Sequence, residues 1–400
     1  MRIRTIVLIP IVVANAIGCN PSPSNPGLVG SSVADGTPLE APLDELEGSL
    51  TENDSDADTS SPLVRRVARG LDADPTELGP DRNGFSIMTW NLEWFWDDES
   101  RDNYSDLSVQ QSAPSREDWN WRRDAVAASI ASVRPTVLAV QEIESQRVLW
   151  YLTRALDRDH KLDYDDYNLK SDDHFTEQDV GLLVGSPADV RMNIKCNVTA
   201  DMKSSGRYGS VSKHMITEVL VPVGDRSESV WVINVHLKAG ADSDSRRSKQ
   251  VETLNAWIDQ LIPGGPSGNS PHLIVLGDFN TEQSAGRVGP ASEIGLLLGR
   301  GTSDPSDDLI DLHDRIPQDQ RRTHLLDGKQ FDRILVSRSL VDDTSGESDL
   351  TLVDVVVLPE LAIRNGRDTQ EAHWDAYWQM PESDRDLSDH YPVLARFEVR

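Results

Sequence analysis

The chain reads as a sheet-rich α/β protein, and three observations carry that expectation. Nine short runs rich in β-branched and aromatic residues are spread over residues 85–397. Only two stretches between them show well-marked helical periodicity. Everything before residue 84 is either a short apolar leader or poor in large apolar side chains, so it has little core to contribute. One domain over 84–400 is the simplest organisation.

The elements follow in chain order. Met1-Arg2-Ile3-Arg4 is a positively charged start, and Thr5–Ile17 is an apolar stretch too short to span a bilayer but of export-signal length. Ala16-Ile17-Gly18-Cys19 follows and resembles a bacterial lipobox. Residues 1–18 therefore read as a signal peptide and Cys19 as a lipidated new N-terminus, held to the membrane by several acyl chains. The other reading is an ordinary signal peptide with an incidental cysteine. Residues 19–83 are rich in Ser, Pro, Gly, Asp and Glu and read as a disordered acidic tether. The one other cysteine, Cys196, has no Cys or His nearby in sequence. It reads as a buried structural thiol, with no intramolecular disulfide expected.

Strands are expected at Phe85–Trp90, Thr136–Val140, Val180–Val184, Ile216–Val221, Val230–Val235, Leu273–Leu276, Arg333–Val336, Leu352–Val357 and Val393–Phe397. A helix over Ser115–Ser132 is marked by a Ser115/Asp118 capping pair and ended by Pro135. A second helix, Arg247–Ile262, carries the stripe Val251, Leu254, Ile258 and Leu261, read as core packing. Polar insertions at about 283–325 and 359–388 lengthen the domain.

A formal charge of −28 excludes a basic nucleic-acid-coating protein, and 38% hydrophobic residues with a single apolar run excludes a polytopic membrane protein. An acidic surface lowers the odds of a polyanionic substrate without excluding one, because a metal-loaded cleft binds anions locally.

Chemistry enters at the strand ends. The run ending at Trp90 is followed by Asn91, and Thr136–Val140 runs into Gln141-Glu142. Val230–Val235 meets His236, Leu273–Leu276 reaches Gly277-Asp278-Phe279-Asn280, and Ser388-Asp389-His390 precedes the last strand. Each alone is as well read as a turn residue. Together they offer oxygen ligands for a hard cation and histidines that hold or donate protons. Glu142, Asn91, Asp278 and Asp389 suit Mg²⁺ or Mn²⁺ in preference to Zn²⁺. Such a set fits phosphate-ester hydrolysis, with Asp332 the candidate partner of His390.

These segments resemble the endonuclease/exonuclease/phosphatase superfamily. The resemblance is carried in order by Thr89-Trp-Asn91-Leu-Glu93, Leu138-Ala-Val-Gln141-Glu142, Asn234-Val-His236-Leu-Lys238, Gly277-Asp278-Phe-Asn280, Phe331-Asp332-Arg-Ile-Leu and Ser388-Asp389-His390-Tyr-Pro. It implies a four-layer α/β sandwich of two packed, mainly antiparallel mixed sheets flanked by helices. It also implies roles: Glu142, Asn91 and Asp389 at the metal, Asp278 and Asn280 at the attacking water, His390 with Asp332 at the scissile phosphate, and His236 as a second phosphate-binding histidine. The acidic partner of His236 is left between Glu177 and Asp179. Arg246 and Arg247 are candidate phosphate contacts, or a solvated helix start paired with acidic neighbours. Trp90, Trp94, Phe95 and Trp96 are read either as base-stacking residues or as packing, and Trp374, Tyr377 and Trp378 either as a lid or as pins for their insertion.

The expected function is an envelope-anchored, Mg²⁺- or Mn²⁺-dependent phosphodiester hydrolase, foremost a nuclease on DNA or RNA. Alternatives are a phospholipid, sphingomyelin or inositol-phosphate hydrolase of the same superfamily, and an inactive surface-binding module.

Overall fold

A computed structural model describes residues 19–21 and 84–399, except 263–271, 282–291, 302, 304–307, 342–349, 365–372 and 374–375. The expected signal peptide and nearly all of the tether lie outside the described residues, as does Trp374.

The strands are β1 (Cys19–Pro21), β2 (Gly84–Phe95), β3 (Val137–Ile143), β4 (Tyr164–Asn168), β5 (Asp179–Gly185), β6 (Asp189–Cys196), β7 (His214–Val223), β8 (Arg226–His236), β9 (His272–Asp278), β10 (Ile310–Asp311), β11 (Asp332–Val336), β12 (Leu350–Val357) and β13 (Val393–Val399). One sheet has the order β12-β13-β2-β3-β5-β4. The other runs β6-β7-β8-β9-β11-β10, with β1 added beyond β6. Each sheet holds one parallel pair, β2 with β3 and β8 with β9, and is otherwise antiparallel.

Period-2 alternation explains the layering. In β2 and β3, Ile87, Val137 and Ala139 face the other sheet, where they meet Met215, Val232, Ile274, Leu276 and Ile334. Their neighbours Met88, Trp90, Leu138 and Val140 face outward. There they are covered by two helices, Arg116–Val133 and Gln146–His160. The second sheet does the same: Trp231, Ile233, Leu273 and Val275 turn outward onto the helix Asp244–Leu261 through Val251, Leu254, Trp257 and Ile258. Both faces of each central strand are therefore buried, which is why these runs are almost continuously apolar. The result is helix, sheet, sheet, helix: the four-layer α/β sandwich expected.

The helix caps follow the sequence signals. Ser115 Oγ accepts from the Asp118 N–H at 3.1 Å, and Arg134 closes the helix in the left-handed region at φ +52 before Pro135. The helix Gln146–His160 escapes the sequence reading, although Val148, Leu149, Leu152, Ala155 and Leu156 form a helical stripe. Its exposed face is crowded with Arg and Asp, and Ser145 makes no capping bond. The polar strand β4 (YDDYN) and the alternating strand β6 are also missed. Both lie toward sheet edges, where one face is left to polar residues.

Cys196 corrects the thiol expectation: it is disulfide-bonded. Strand β1 sets Cys19 opposite Cys196. Among the described residues no helix is long and apolar enough to cross a membrane.

Candidate active site

Topology brings the polar strand ends to one edge of the sandwich. Asn91 pairs with Gln141 across the parallel strands β2 and β3, which puts Glu142 one residue further on. His236 pairs with Asp278 across β8 and β9. Antiparallel β11 starts at this edge, with Asp332 opposite Asp278. Antiparallel β13 starts here too: Val393 stands opposite Thr89, and His390 lies three residues before it.

The side chains then interlock across the two sheets. Asn91 Nδ2 donates to Glu142 Oε1 at 3.1 Å and to Asp278 Oδ2 at 3.0 Å, and lies 3.5 Å from His390 Nε2. Asp278 Oδ1 accepts from the Asn280 N–H at 2.8 Å, while Asn280 Nδ2 donates to Asp278 Oδ2 at 3.1 Å. His236 Nε2 stands 3.5 Å from Asp278 Oδ2 and 3.7 Å from Glu142 Oε1. His390 Nδ1 meets Asp332 Oδ2 at 2.8 Å, leaving Nε2 3.8 Å from both Asp278 and Asp389. Beneath the site a buried amide pair links the sheets. Gln141 Nε2 donates to Asn234 Oδ1 at 2.7 Å, and Asn234 Nδ2 donates to the carbonyls of Val140 and Gly181.

Backbone strain concentrates here. Glu93, Trp94, Glu142 and Asn280 all hold positive φ, between +43 and +56, at a cost of about 1–3 kcal/mol each. Glycine is obligatory at 277: with φ +130, an added Cβ would sit 2.0 Å from the Val235 carbonyl oxygen. That close approach of β8 and β9 aims Asp278 at the cleft.

Burial and charge set the protonation pattern. Burial, helped by the neighbouring Asp389 charge, raises the Glu142 pKa to about 7. Burial raises Asp278 to about 6 against the pull of His390. Asp389 is also buried, but His390 and His324 outweigh the desolvation and hold it below the usual carboxylate range. Burial opposes charge on His390 as well, yet Asp332, Asp278 and Asp389 together keep its pKa well above the ordinary imidazole value. His236 faces no such balance, and burial pushes its pKa well below normal. His390 and His236 are thus pushed in opposite directions, the first toward its charged form and the second toward its neutral one.

Several expectations are corrected. Asn91 Oδ1 accepts from the Glu93 N–H at 2.9 Å, which fixes the amide orientation and turns the NH₂ toward the carboxylates. Asn91 thereby bridges Glu142 and Asp278. Neither Glu177 nor Asp179 partners His236. Glu177 Oε1 accepts from the Tyr104 and Ser105 N–H groups, and Asp179 holds Ser171 and Lys170. His236 Nδ1 has no hydrogen-bond partner. Arg247 is fully buried, paired with Glu293 at 2.8 Å and with Asp244, and donates to the carbonyls of Lys238 and Gly240. It clasps the loop after His236 and is no substrate contact, whereas Arg246 is exposed. Trp90, Phe95 and Trp96 are core residues, and only Trp94 of that group is half-exposed.

The structure adds residues that the sequence reading missed. His324 Nε2 stands 3.3 Å from Asp389 Oδ2, and His373 Nε2 lies 2.6 Å from Glu93 Oε2, which also accepts from the Asp389 N–H. Both histidines come from the insertions and follow no local pattern. Arg122 donates to the carbonyls of Leu92, Glu93, Trp94 and Leu387, pinning the strained turn. Its signal was legible: a charged residue in line with Trp119, Val126, Ile130 and Val133 on the buried face of its helix.

Glu142, His236 and Asp278 each place a ligand atom within 4.8 Å of the others, as do His324, Asp389 and His390. Buried carboxylates with few cations around them are a donor set that a divalent cation would neutralise.

Comparison with known proteins gives the family. Residues 88–390 match the Endonuclease/Exonuclease/phosphatase family. No curated protein matches the chain. Similar solved structures include truncated TDP2 of Caenorhabditis elegans, 16% identical, covering 79% of this chain and 98% of that one with a TM-score of 0.46. The human nocturnin catalytic domain with bound sulfate anion is 15% identical, with coverage of 79% and 95% and a TM-score of 0.47. An endonuclease/exonuclease/phosphatase family protein of Bacteroides thetaiotaomicron is 16% identical, with coverage of 79% and 95% and a TM-score of 0.49. With the match spanning every segment that supplies the cleft, the chain belongs to the endonuclease/exonuclease/phosphatase family.

Proposed function

We propose that the protein is a divalent-metal-dependent phosphodiesterase that acts as a nuclease outside the cytoplasm, with Mg²⁺ or Mn²⁺ as its metal. The observation that carries this reading is the convergence of Glu142 and Asp278, from different sheets, on one Asn91 amide beside a histidine kept charged by Asp332. Glu142 and Asp389, which line one cavity, would hold the cation. The bound metal would supply Lewis-acid stabilisation of charge on the phosphoryl group.

This chain's own groups do the rest. Asp278, fixed by Asn280 and Asn91, is placed to accept a hydrogen bond from the attacking water and to take its proton. His390 Nε2–H points into the same space and donates to a non-bridging phosphoryl oxygen as charge builds there. Asp332 fixes the tautomer of His390 and keeps it protonated. Neutral His236 adds a second nitrogen between the carboxylates without adding charge.

An oxidising compartment fits the disulfide at Cys196, and export fits the apolar leader at residues 5–17. Lipid attachment at Cys19 is the proposed anchor.

The test uses the full chain, treated with EDTA and then supplied with Mg²⁺ or Mn²⁺, on plasmid DNA, RNA, sphingomyelin and inositol phosphates. Metal-restored cleavage of nucleic acid is expected, abolished by Glu142→Ala and His390→Ala. Turnover of lipid alone would end the nuclease reading. Hydrolysis no greater than that of Glu142→Ala on every substrate would end the hydrolase reading.

A further inference from the structure

A cavity of about 430 Å³ opens beside Glu142 and Asp389. Trp94, Tyr377 and Trp378 line it, together with the amides of Gln110, Gln111 and Gln379. We infer that this cavity is a nucleobase pocket, which seats the heterocycle attached to the scissile phosphodiester, with Trp94 as its stacking residue. The inference rests on the hydrolytic reading of the adjacent carboxylates and adds which part of the substrate is recognised.

The wall chemistry favours a planar, neutral, hydrogen-bonding group. The Trp94 indole can stack on any base, because every base has a π face. Each glutamine amide offers both donors and an acceptor, matching the mixed edges of a base.

Other occupants fit less well. A phosphate would need free cationic donors, but Arg122 directs its N–H groups at four backbone carbonyls, His373 is paired with Glu93, and the carboxylates of Glu93, Glu142 and Asp389 surround the cavity. A quaternary ammonium group would need open aromatic faces. Arg122 already lies 5.3 Å from the Tyr377 ring centroid and 6.0 Å from that of Trp378, and Arg385 lies 5.3 Å from the latter. A further cation against those rings would meet two guanidinium charges.

Trp94 joins the pocket to the metal site. Its backbone N–H donates to Glu142 Oε2 at 3.2 Å while the residue lines the cavity, its indole backed by Trp96 at a centroid distance of 5.1 Å. The left-handed backbone at Glu93 and Trp94 turns the ring into this position. A base stacked on that indole is one residue away from the carboxylate at the metal site.

The test compares two esters with the same leaving group, thymidine 5′-(p-nitrophenyl phosphate) and methyl p-nitrophenyl phosphate, on the full chain with Mg²⁺. The kcat/KM ratio should favour the nucleoside ester by about tenfold or more. It should collapse toward unity in Trp94→Leu and be largely kept in Trp94→Phe. Gln111→Leu, on the rim, should lower the same ratio and covers the case in which Trp94→Leu fails to fold. Thymidine binding in EDTA, followed by calorimetry, should be lost in Trp94→Leu. Equal rates on both esters would overturn the pocket and leave the hydrolytic reading standing, as would phosphocholine binding more tightly than thymidine. No turnover of either ester would overturn the hydrolytic reading, and thymidine binding would then decide the pocket alone.

Discussion

Asp332→Asn separates charge from shape at the catalytic histidine. Asp332 is fully buried, and its Oδ2 lies 2.8 Å from His390 Nδ1, closer than the 3.8 Å contacts from Asp278 and Asp389 to Nε2. An asparagine oxygen still accepts the Nδ1–H bond, so the ring stays oriented and the fold survives. What is lost is the nearest of three negative charges that keep the imidazole protonated against its burial. The His390 pKa must therefore fall, and the alkaline limb of the kcat/KM profile must move to lower pH. Losing a positioned proton donor costs about 10²- to 10⁴-fold in rate, equivalent to about 3–5 kcal/mol of transition-state stabilisation. The assay is the pH dependence of kcat/KM on a p-nitrophenyl phosphodiester with saturating Mg²⁺, alongside a denaturation curve. An unmoved alkaline limb with a loss below about tenfold would refute the assignment of His390 as the charged donor.

Three further outcomes are expected. His214 is held neutral because Nδ1 donates to the Val211 carbonyl at 2.6 Å and Nε2 accepts from the Cys196 N–H at 2.9 Å. Burial lowers its pKa from 6.5 to about 4, so its contribution is complete above pH 6.5 and lost as pH falls toward 4, a change of about 3 kcal/mol. Urea titrations at pH 7 and pH 4 should show that loss in the wild type and a smaller one in His214→Gln; equal losses would contradict it. Gly277→Ala should destabilise by about 3 kcal/mol through the clash with the Val235 carbonyl, and a variant with unchanged denaturation midpoint would contradict the close strand approach. Arg247→Ala should cost about 3–5 kcal/mol by stranding buried Glu293, whereas Arg246→Ala should change stability by less than about 0.5 kcal/mol; matching denaturation curves for the two would undo the clasp.

Much of the scaffold was legible because the central strands are buried on both faces, which makes their residues apolar without interruption. Edge elements were not: β4 is Tyr-Asp-Asp-Tyr-Asn, and only its position beside β5 makes it a strand. The catalytic positions were legible for a different reason. They sit where an apolar run stops abruptly at a polar residue, as at Val140-Gln141-Glu142 and Leu276-Gly277-Asp278. Roles were harder to read than positions. Asn91 reads from the sequence only as an oxygen donor, and the structure adds that its amide N–H groups bridge Glu142 and Asp278. Arg247 looks like a phosphate contact until its burial and its pairing with Glu293 appear. His324 and His373 reach Asp389 and Glu93 from the insertions, through chain paths that no local periodicity encodes.

The Gln141–Asn234 link has a consequence for how the protein fails. It is a polar dowel through an oily seam, and its hydrogen bonds are directional, so they fix the register of the two layers in a way that non-directional apolar contacts do not. Half of the reactive groups ride on each layer, so a slip too small to alter circular dichroism would still pull Asn91 away from Asp278. Turnover is thus a finer gauge of alignment than any spectroscopic measure of folding. In a heated sample it should decay first, while the helices on either flank are still intact.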